Sequence, residues 1–450
     1  MITTAIIAIV IITFYFYSTR TFKYWKKRGI KHEKPVPIFG TNVRSYFMKA
    51  SLTQLADELY WKYPDEKVVG FFRSSRPELL IRDPEITKRI LTADFTSFYE
   101  RGLSPHNTVY EPLRQNIFFA DGDLWKLLRQ RMTPAFSTGK LKAMFPLIVE
   151  RAERLQVRTN DISANGKSID ARDLMARYTT DFIGACGFGL ESDSLNDENS
   201  PFRQLGKKIF AIPKSAIIEL ILKDTFPRFA QYFKFLRHIE GDMLEFVGEI
   251  LKKRNYKPCG RNDFIDLMLE CRKEGTIVGD SITKYKANGT PEEARLEFDD
   301  ALIAAQVFVF FVAGFETSSS ATSFTLHQLA YNQDVQKKAQ ADVDNVLAKY
   351  DGKLCYDAIK EMGYLEWTLK EGLRMFPSVG VLIRKSVKPY TFPEINLTID
   401  AGTDIAIPVQ AMQNDPKYFD NPQEFRPERF DSKEFNSINK HIFLPFGTGP

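Results

Sequence analysis

The chain has little cysteine, no internal repeat and no dense run of charge. Its 450 residues include only four cysteines, Cys186, Cys259, Cys271 and Cys355, whose spacing fits neither a disulfide framework nor a thiolate zinc site. We therefore expect reduced thiols in a reducing compartment. The net charge of +5 includes no concentrated basic stretch in the body of the chain, which argues against a nucleic-acid partner.

Length and composition predict one large, mostly helical body. With 44% hydrophobic residues the chain can bury a large core. From about residue 50 onward, apolar residues recur mainly at helical spacing, and the strand-like stretches at 67–72, 78–82 and 403–409 are short. This distribution predicts a predominantly α fold with small β-sheets. The polar segment 273–297 interrupts the helical pattern, and we predict an exposed loop there.

The first nineteen residues form an uncharged apolar run. Residues 1–19 contain no Lys, Arg, Asp or Glu, and their length suits one transmembrane helix. Seven Lys and Arg residues follow before residue 35, which predicts that this side faces the cytosol. A cleaved signal peptide is the alternative, but no basic segment precedes the run and no clear cleavage site follows it.

A basic segment containing prolines separates this predicted anchor from the rest. Pro35 and Pro37 fix the backbone and Gly40 permits a turn, which suits a stiff elbow over residues 20–40. An ordinary loop has the same composition and remains the alternative. We expect residues 41–450 to form the globular domain.

The longest predicted helix covers residues 297–330. Its middle, residues 301–315, is apolar apart from Gln306. That stretch is too short for a second membrane span and Glu316 follows at once, so a buried central helix is favoured. Thr317 can donate to the carbonyl of Ala313 and bend the helix. Gly314 would let a flat, bulky group approach, although a close helix crossing also explains it.

Three other motifs combine residues at helical or turn spacing. "WKLLR" sets Trp125 and Arg129 on one helix face, with Asp121 or Asp123 as a candidate cap and an exposed cation–π pair as the alternative. "EGLR" sets Glu371 three residues before Arg374, a pair common in any long helical protein. "FLPFGTGP" at the end places glycines two apart in a predicted turn.

Together with "AGFET", "FRPERF" and "RMFPSVGVLIR", these motifs resemble, in order, those of the cytochrome P450 family. The resemblance is to haem-thiolate monooxygenases of the insect microsomal type, and it implies that fold, with haem b as cofactor. It implies proton delivery to dioxygen by Glu316 and Thr317. It also implies a structural network that joins Glu371, Arg374 and Arg429.

The resemblance further implies the haem contacts. Trp125 and Arg129 would contact one propionate and Arg384 the other; the further haem-binding residues would be Ala313, Gly314, Phe446, Gly447 and Gly449. The family's haem loop reads Phe-Gly-x-Gly-x-Arg-x-Cys, so we expect the axial cysteine beyond Pro450, in a chain cut within this loop. No metal ligand is expected within the 450 residues.

The expected reaction inserts one oxygen atom of O2 into xenobiotics or other small lipophilic substrates. The sequence has no dinucleotide fingerprint, so electrons would come from outside the chain. The resemblance implies NADPH–cytochrome P450 reductase as the donor, with cytochrome b5 as a second candidate. The expected location is the endoplasmic reticulum membrane, with the domain on the cytosolic face and in contact with lipid. By the same resemblance, residues 205–236 would roof the pocket, with a plain core-facing helix pair as the alternative.

Two further functions remain open at this point. The first is rearrangement of hydroperoxides on the same fold without external electrons, against which the acid–threonine pair argues. The second is a membrane-anchored binding protein that carries no haem.

Overall fold

The computed structural model describes residues 2–103, 110–191, 193–197, 199–211, 219, 221–222, 224–226, 232, 234, 236–261, 263–435 and 437–449. In chain order the α-helices of this part are α1 (Ile2–Thr19), α2 (Tyr24–Lys27), α3 (Val43–Tyr46), α4 (Leu52–Lys62), α5 (Pro84–Lys88), α6 (Gly122–Met132), α7 (Thr138–Ala164), α8 (Ala171–Ile183), α9 (Pro201–Phe210), α10 (Arg237–Lys253), α11 (Phe264–Glu274), α12 (Asp300–Val312), α13 (Ser318–Tyr331), α14 (Gln333–Lys349), α15 (Tyr356–Glu361), α16 (Gly363–Met375), α17 (Val409–Gln413) and α18 (Ser437–Ile442).

Shorter helical turns and strands complete the described part. The π-helical turns are Arg89–Ala93, Gly184–Phe188 and Ala313–Thr317, and the 3-10 turns are Phe95–Ser97, Pro112–Arg114, Thr133–Phe136 and Pro427–Phe430. The strands are β1 (Val68–Arg73), β2 (Arg76–Ile81), β3 (Thr276–Tyr285), β4 (Pro291–Glu297), β5 (Leu382–Lys385), β6 (Tyr390–Phe392), β7 (Leu397–Ile399) and β8 (Asp404–Ile407). The predicted fold class, predominantly α with small β-sheets, is confirmed.

The largest sheet joins the two ends of the chain. Its order is β1-β2-β8-β5, with β2 and β8 parallel and the other neighbours antiparallel. The three predicted strand stretches are β1, β2 and β8, each within one or two residues of the expected bounds. The faces of β1, β2 and β8 are buried in one apolar cluster, which fixes this register because a slip by one residue would turn apolar side chains outward.

The segment predicted as an exposed loop is a β-hairpin. Residues 276–285 and 291–297 pair as antiparallel strands, and the interpretation of 273–297 as a loop was therefore wrong. Ile277 and Ala294 are buried in the core beneath the hairpin, while most other side chains face outward. Because so few of its positions are apolar, the hairpin looks like a loop in hydropathy alone.

The central helix is continuous from residue 300 to 331 but is not uniformly α-helical. It begins at Asp300, where Asp299 caps it by accepting from the backbone N–H of Leu302 at 2.7 Å, so its start is three residues later than predicted. The π turn Ala313–Thr317 joins α12 to α13. Residues 302–309 are all buried, as expected of a core helix.

At the N-terminus, α1 covers almost the whole predicted anchor. Its 18 residues have a mean hydropathy of 1.9 and are almost entirely exposed, whereas the 300–331 helix is mostly buried. The segment after α1 packs on the large sheet, where the Trp25 indole donates to the carbonyl of Phe71 at 3.1 Å. A Cβ on Gly70 would lie 2.4 Å from the Trp25 ring, so only glycine fits there.

Candidate functional site

Arg101 and Arg384 are neighbours although 283 positions separate them in the sequence. The backbone N–H of Lys385 donates to the carbonyl of Glu100 at 2.8 Å, which joins residue 100 to strand β5. Arg101 donates through Nη1 to the carbonyl oxygens of Ile117 and Phe118. Nε of Arg384 is buried and has no hydrogen-bond partner among the described residues.

The charges around these two side chains are unbalanced. Desolvation lowers the pKa of Arg384 to about 10, and repulsion from Arg101 adds to the effect. Desolvation also lowers the pKa of Arg101, and the charge of Arg129 lowers it further. Asp121 is the carboxylate that opposes both shifts. Three guanidinium groups around one carboxylate make this a site that favours an additional anion.

Helix α6 carries the predicted Trp125 and Arg129. The Trp125 ring is half-buried, with its centroid 5.7 Å from that of Phe95, and Arg129 is exposed. Asp121 occupies the position before the helix, but its carboxylate accepts from the backbone N–H groups of Arg101 and Gly102 at 2.7 and 3.2 Å. Asp123 bonds to strand β3 instead. The prediction that one of these two carboxylates caps the helix was therefore wrong.

The terminal glycine stretch lies against the same region. Gly447 and Gly449 have φ of +70° and +147°, which favour glycine. A Cβ on Gly447 would lie 3.9 Å from the Leu382 side chain in β5, and one on Gly449 would lie 3.3 Å from the carbonyl oxygen of Leu91 and 4.0 Å from Phe95. The loop therefore lies near the strand of Arg384 and near the aromatic neighbour of Trp125.

Phe446 precedes these glycines and has its side chain in solvent. It is 88% exposed, the most exposed of the large hydrophobic side chains described. No contact within the described residues therefore explains an aromatic side chain at this position.

In the middle of the central helix, the hydrogen bond of Thr317 is as predicted, whereas the space at Gly314 is not. Thr317 donates through Oγ1 to the carbonyl of Ala313 at 2.6 Å, which confirms the expected bond and lies in the π turn. Ala313 itself is exposed although its helix is central. A Cβ on Gly314 would lie 2.9 Å from Cδ1 of Ile183 in α8. The close approach that this glycine permits is thus a helix crossing, and the expected approach of a bulky ligand to Gly314 itself has no support here.

Glu316 lies in polar surroundings although an apolar stretch precedes it. Its Oε1 is 3.1 Å from Nη2 of Arg172 at the start of α8, and the hydroxyl of Ser320 is 3.5 Å away. The Glu316 side chain is 36% exposed and that of Arg172 is 73% exposed. The carboxylate therefore lies between the helix interior and solvent, which suits a group that exchanges protons with water.

The structure brings the Glu371, Arg374 and Arg429 side chains into one network, as the resemblance implied. Arg374 contacts both carboxylate oxygens of Glu371, at 2.8 and 3.0 Å, and Arg429 Nε contacts Oε1 at 3.1 Å. All three residues are buried. Arg374 also donates to the carbonyl oxygens of Gln413 and Pro422, so the network ties α16 to the chain that leads to the terminal loop.

A cavity of about 310 Å³ lies between α4 and the turn before β5. Its lining is mainly aliphatic, including Leu55, Val379 and Val381, with Glu78 and Asp404 at one side. Residues of the "RMFPSVGVLIR" motif, among them Val379 and Val381, thus border an apolar cavity. Half of the predicted roof, residues 205–236, lies outside the described residues. In the described part, Asp224 accepts from Tyr46 at 2.8 Å and from Arg76 at 2.6 Å.

Sequence reasoning missed Arg101 and Arg172. Each is one arginine among many, at no spacing that links it to a motif, and each meets its partner through long-range packing. The four cysteines are free thiols, and burial raises the pKa of Cys186 and Cys271 to about 11.

Known proteins resemble this chain over nearly its whole length. The family model described as cytochrome P450 matches residues 30–450. Cytochrome P450 6B2 of Helicoverpa armigera is 37% identical over 99% of this chain and 86% of its own length. Cytochrome P450 6B7 of the same species is 38% identical with the same coverage. Cytochrome P450 6a2 of Drosophila melanogaster is 36% identical over 96% of this chain and 85% of its own length.

Proposed function

Because the chain belongs to the cytochrome P450 family of haem-thiolate monooxygenases, we propose that it oxidises small lipophilic compounds with electrons from a separate reductase. The observation that supports this most directly is the pair Arg101 and Arg384. Burial and the charge of Arg101 disfavour the charged form of Arg384, and burial and the charge of Arg129 disfavour that of Arg101, so an anion beside the pair would stabilise both cations. The two propionates of haem b supply carboxylates of the right charge and number.

The residues around this pair fit the same group. Arg384 and Arg101 would bind one or both propionates, and Trp125 and Arg129 would contact a propionate from α6. Bidentate or paired contacts from arginine suit a carboxylate better than a single ammonium does. Arg101 is the addition to the set that the sequence predicted.

The terminal loop would also contact the cofactor. Phe446, Gly447 and Gly449 would form its first part, and the left-handed glycines let the backbone turn closely beneath a flat ring. We place the thiolate ligand in the continuation of this loop, after the arginine that follows in the family motif. Haem b with such a ligand activates dioxygen and favours cleavage of its O–O bond.

Glu316 and Thr317 would move the protons. The Thr317 hydroxyl donates to the carbonyl of Ala313, so its oxygen is free to accept a hydrogen bond and would hold a proton donor beside the helix. Glu316, paired with the exposed Arg172, would collect protons from solvent. Ala313, exposed one turn before Thr317, would line the cofactor side of this helix.

The electron source and location follow as part of the same proposal. NADPH–cytochrome P450 reductase would supply both electrons, with cytochrome b5 as a further candidate donor. The exposed apolar helix α1 followed by basic residues supports a single span, with the catalytic domain on the cytosolic face of the endoplasmic reticulum. Xenobiotics or endogenous lipophiles would enter through the apolar cavity region beside α4.

A carbon monoxide difference spectrum tests the proposal. The protein would be produced with the residues that follow Pro450 in its transcript, reduced and exposed to carbon monoxide. We expect the Soret position of a thiolate-bound haem, and substrate oxidation that requires NADPH and reductase. A spectrum without that band would refute the haem proposal, and turnover of hydroperoxides without NADPH would instead favour the rearrangement alternative.

A further inference from the structure

The β3–β4 hairpin departs from regular pairing at one point. Its strands pair in register from Thr276 opposite Glu297 to Asp280 opposite Glu293, and again at Tyr285 opposite Pro291, with a shift between. Residues 281–284 therefore bulge away from β4. Such bulges leave backbone N–H groups free to bond elsewhere and redirect side chains.

Four of the groups in the bulge bind one carboxylate, Asp123, while the backbone N–H of Lys284 donates to the Ser281 hydroxyl at 2.8 Å. The backbone N–H groups of Ile282 and Thr283 donate to Oδ1 at 2.7 and 3.3 Å. The hydroxyl of Ser281 contacts both oxygens at 3.0 and 2.8 Å, and that of Thr283 donates to Oδ2 at 2.9 Å. Although burial alone would raise the pKa of Asp123, the bonds from Ile282, Ser281 and Thr283 lower it, so the carboxylate stays ionised at neutral pH.

The hairpin also packs along the helix on either side of this contact. A Cβ on Gly122 would lie 3.1 Å from Thr283 Cγ2, and one on Gly279 would lie 2.8 Å from Leu127 Cδ2. Leu127 and Ile277 are buried together in the core. The hairpin therefore holds the first turn and the middle of α6, not one isolated side chain.

Asp123 lies two residues before Trp125 and six before Arg129 on the same rigid helix. A shift of the first turn of α6 would move both side chains. We propose that the 281–284 bulge is a clasp that positions α6 through Asp123, so that folding of the hairpin and retention of the haem are coupled. This inference rests on the proposed function for the haem contacts, and Asp123 is a positioning residue because it acts through α6.

Coupling of this kind is reciprocal: if the clasp favours bound haem, bound haem must favour the closed clasp. Lys284 and Lys286 are exposed at the end of β3 and offer trypsin sites within and beside the bulge. We therefore expect haem to slow tryptic cleavage there in the wild-type protein, compared with protein made under haem limitation.

The experiment compares three variants of the protein extended past Pro450. Asp123→Asn keeps the size but removes the charge, and Thr283→Val removes only the hydroxyl bond to Oδ2. Asn288→Ala is the matched control, since Asn288 at the hairpin tip accepts only from Thr290 in the described contacts and does not touch α6. The measurements are the rate of haem transfer to apomyoglobin and the tryptic cleavage rate with and without haem.

For Asp123→Asn we expect haem transfer roughly ten-fold faster or more, because bonds to a charged acceptor are among the stronger ones. Thr283→Val should show a smaller effect in the same direction, and haem should no longer slow cleavage in Asp123→Asn. The Asn288→Ala control should match wild type. If the wild-type protein retains haem, and Asp123→Asn and Thr283→Val transfer haem no faster than the wild type, the clasp is refuted while the proposed function stands.

If Asp123→Asn does not fold, Thr283→Val carries the test. Absence of haem from the wild-type protein would overturn the proposed function and the coupling together. In that case the hydrogen-exchange rate of the α6 amides in the haem-free protein still tests the contact between the bulge and α6. If the contact holds α6, these amides should exchange faster in Thr283→Val than in Asn288→Ala.

Discussion

The backbone N–H of Lys385 donates to the carbonyl oxygen of Glu100 over 2.8 Å, and this bond fixes Arg101 beside Arg384. The two arginines belong to different halves of the chain and meet only because β5 pairs with this segment. Burial and the charge of Arg101 disfavour the charged form of Arg384. The same pair that destabilises the haem-free fold would therefore strengthen binding of a dianion.

Arg384→Met should have opposite effects on the two forms of the protein. Since the folded pKa of about 10 lies below the unfolded value, the charged side chain destabilises the fold at every pH below about 10. We expect Arg384→Met to raise the free energy of unfolding of the haem-free protein by about 1 kcal/mol or more, and with it the Tm. It should lower the haem content per protein in the loaded form.

Arg82→Met is the matched control for this prediction. Arg82 donates to the carbonyl oxygens of Tyr60, Pro64 and Glu66 and so has its hydrogen bonds satisfied. We expect this substitution to lower the Tm in both forms. A lower Tm for haem-free Arg384→Met would contradict the account of an unbalanced cation.

Thr317→Ala should separate electron use from product formation. The substitution removes the Oγ1 proton relay but leaves the Arg101 and Arg384 contacts, so haem content should not change. We expect product per NADPH to fall on the order of ten-fold, with hydrogen peroxide accounting for the difference. Thr317→Ser keeps the hydroxyl and should restore coupling. Full coupling in the alanine variant would refute the assigned role.

Arg429→Met should strongly destabilise the fold. It leaves the fully buried Glu371 carboxylate with one guanidinium partner fewer, and breaking a buried pair costs about 3–5 kcal/mol. Urea unfolding measures the change. Arg426→Met is the control because only the Arg426 backbone N–H contacts Glu371, while its side chain pairs with Asp420 nearer the surface. Arg426→Met should lower the free energy of unfolding by less than about 1 kcal/mol.

Gly314→Ala tests whether this glycine serves the helix crossing. A methyl group there would lie 2.9 Å from Ile183 Cδ1, and overpacking of this kind costs about 1–3 kcal/mol. Ile183→Val should relieve the clash in the double variant. Gly206→Ala in α9 has ordinary contact with Phe311, at 3.4 Å, and should be neutral or stabilising. Equal stability of the two alanine variants would argue against the crossing.

Elements with a clear local hydrophobic pattern could be predicted from the sequence. Elements that are defined by pairing with distant residues could not. The 300–331 helix, β1, β2 and β8 have strong local patterns, and each was predicted. Strand β5 has four residues and gains its definition from β8 and from Glu100, which no local pattern reveals. Arg101 was missed for the same reason.

The hairpin, in contrast, left a signal that was not used. Asn288 and Gly289 form the Asn-Gly pair typical of tight hairpin turns, and Gly289 has φ of +79°. The pattern was masked by the many charged residues of β3 and β4. A carboxylate-binding bulge inside it could not have been predicted, because its ligand, Asp123, comes from another part of the chain.

The parallel pairing of β2 with β8 also has a consequence for synthesis on the ribosome. The β2 stretch emerges early, while its partner is made roughly 320 residues later, which at usual elongation rates takes on the order of 15 to 60 s. Throughout that interval Leu79 and Leu80, both fully buried in the folded protein, can pair with β1 on one side but have no strand on the other. The nascent chain therefore carries an unpaired strand edge until β8 has been made, and such an edge can pair with other chains.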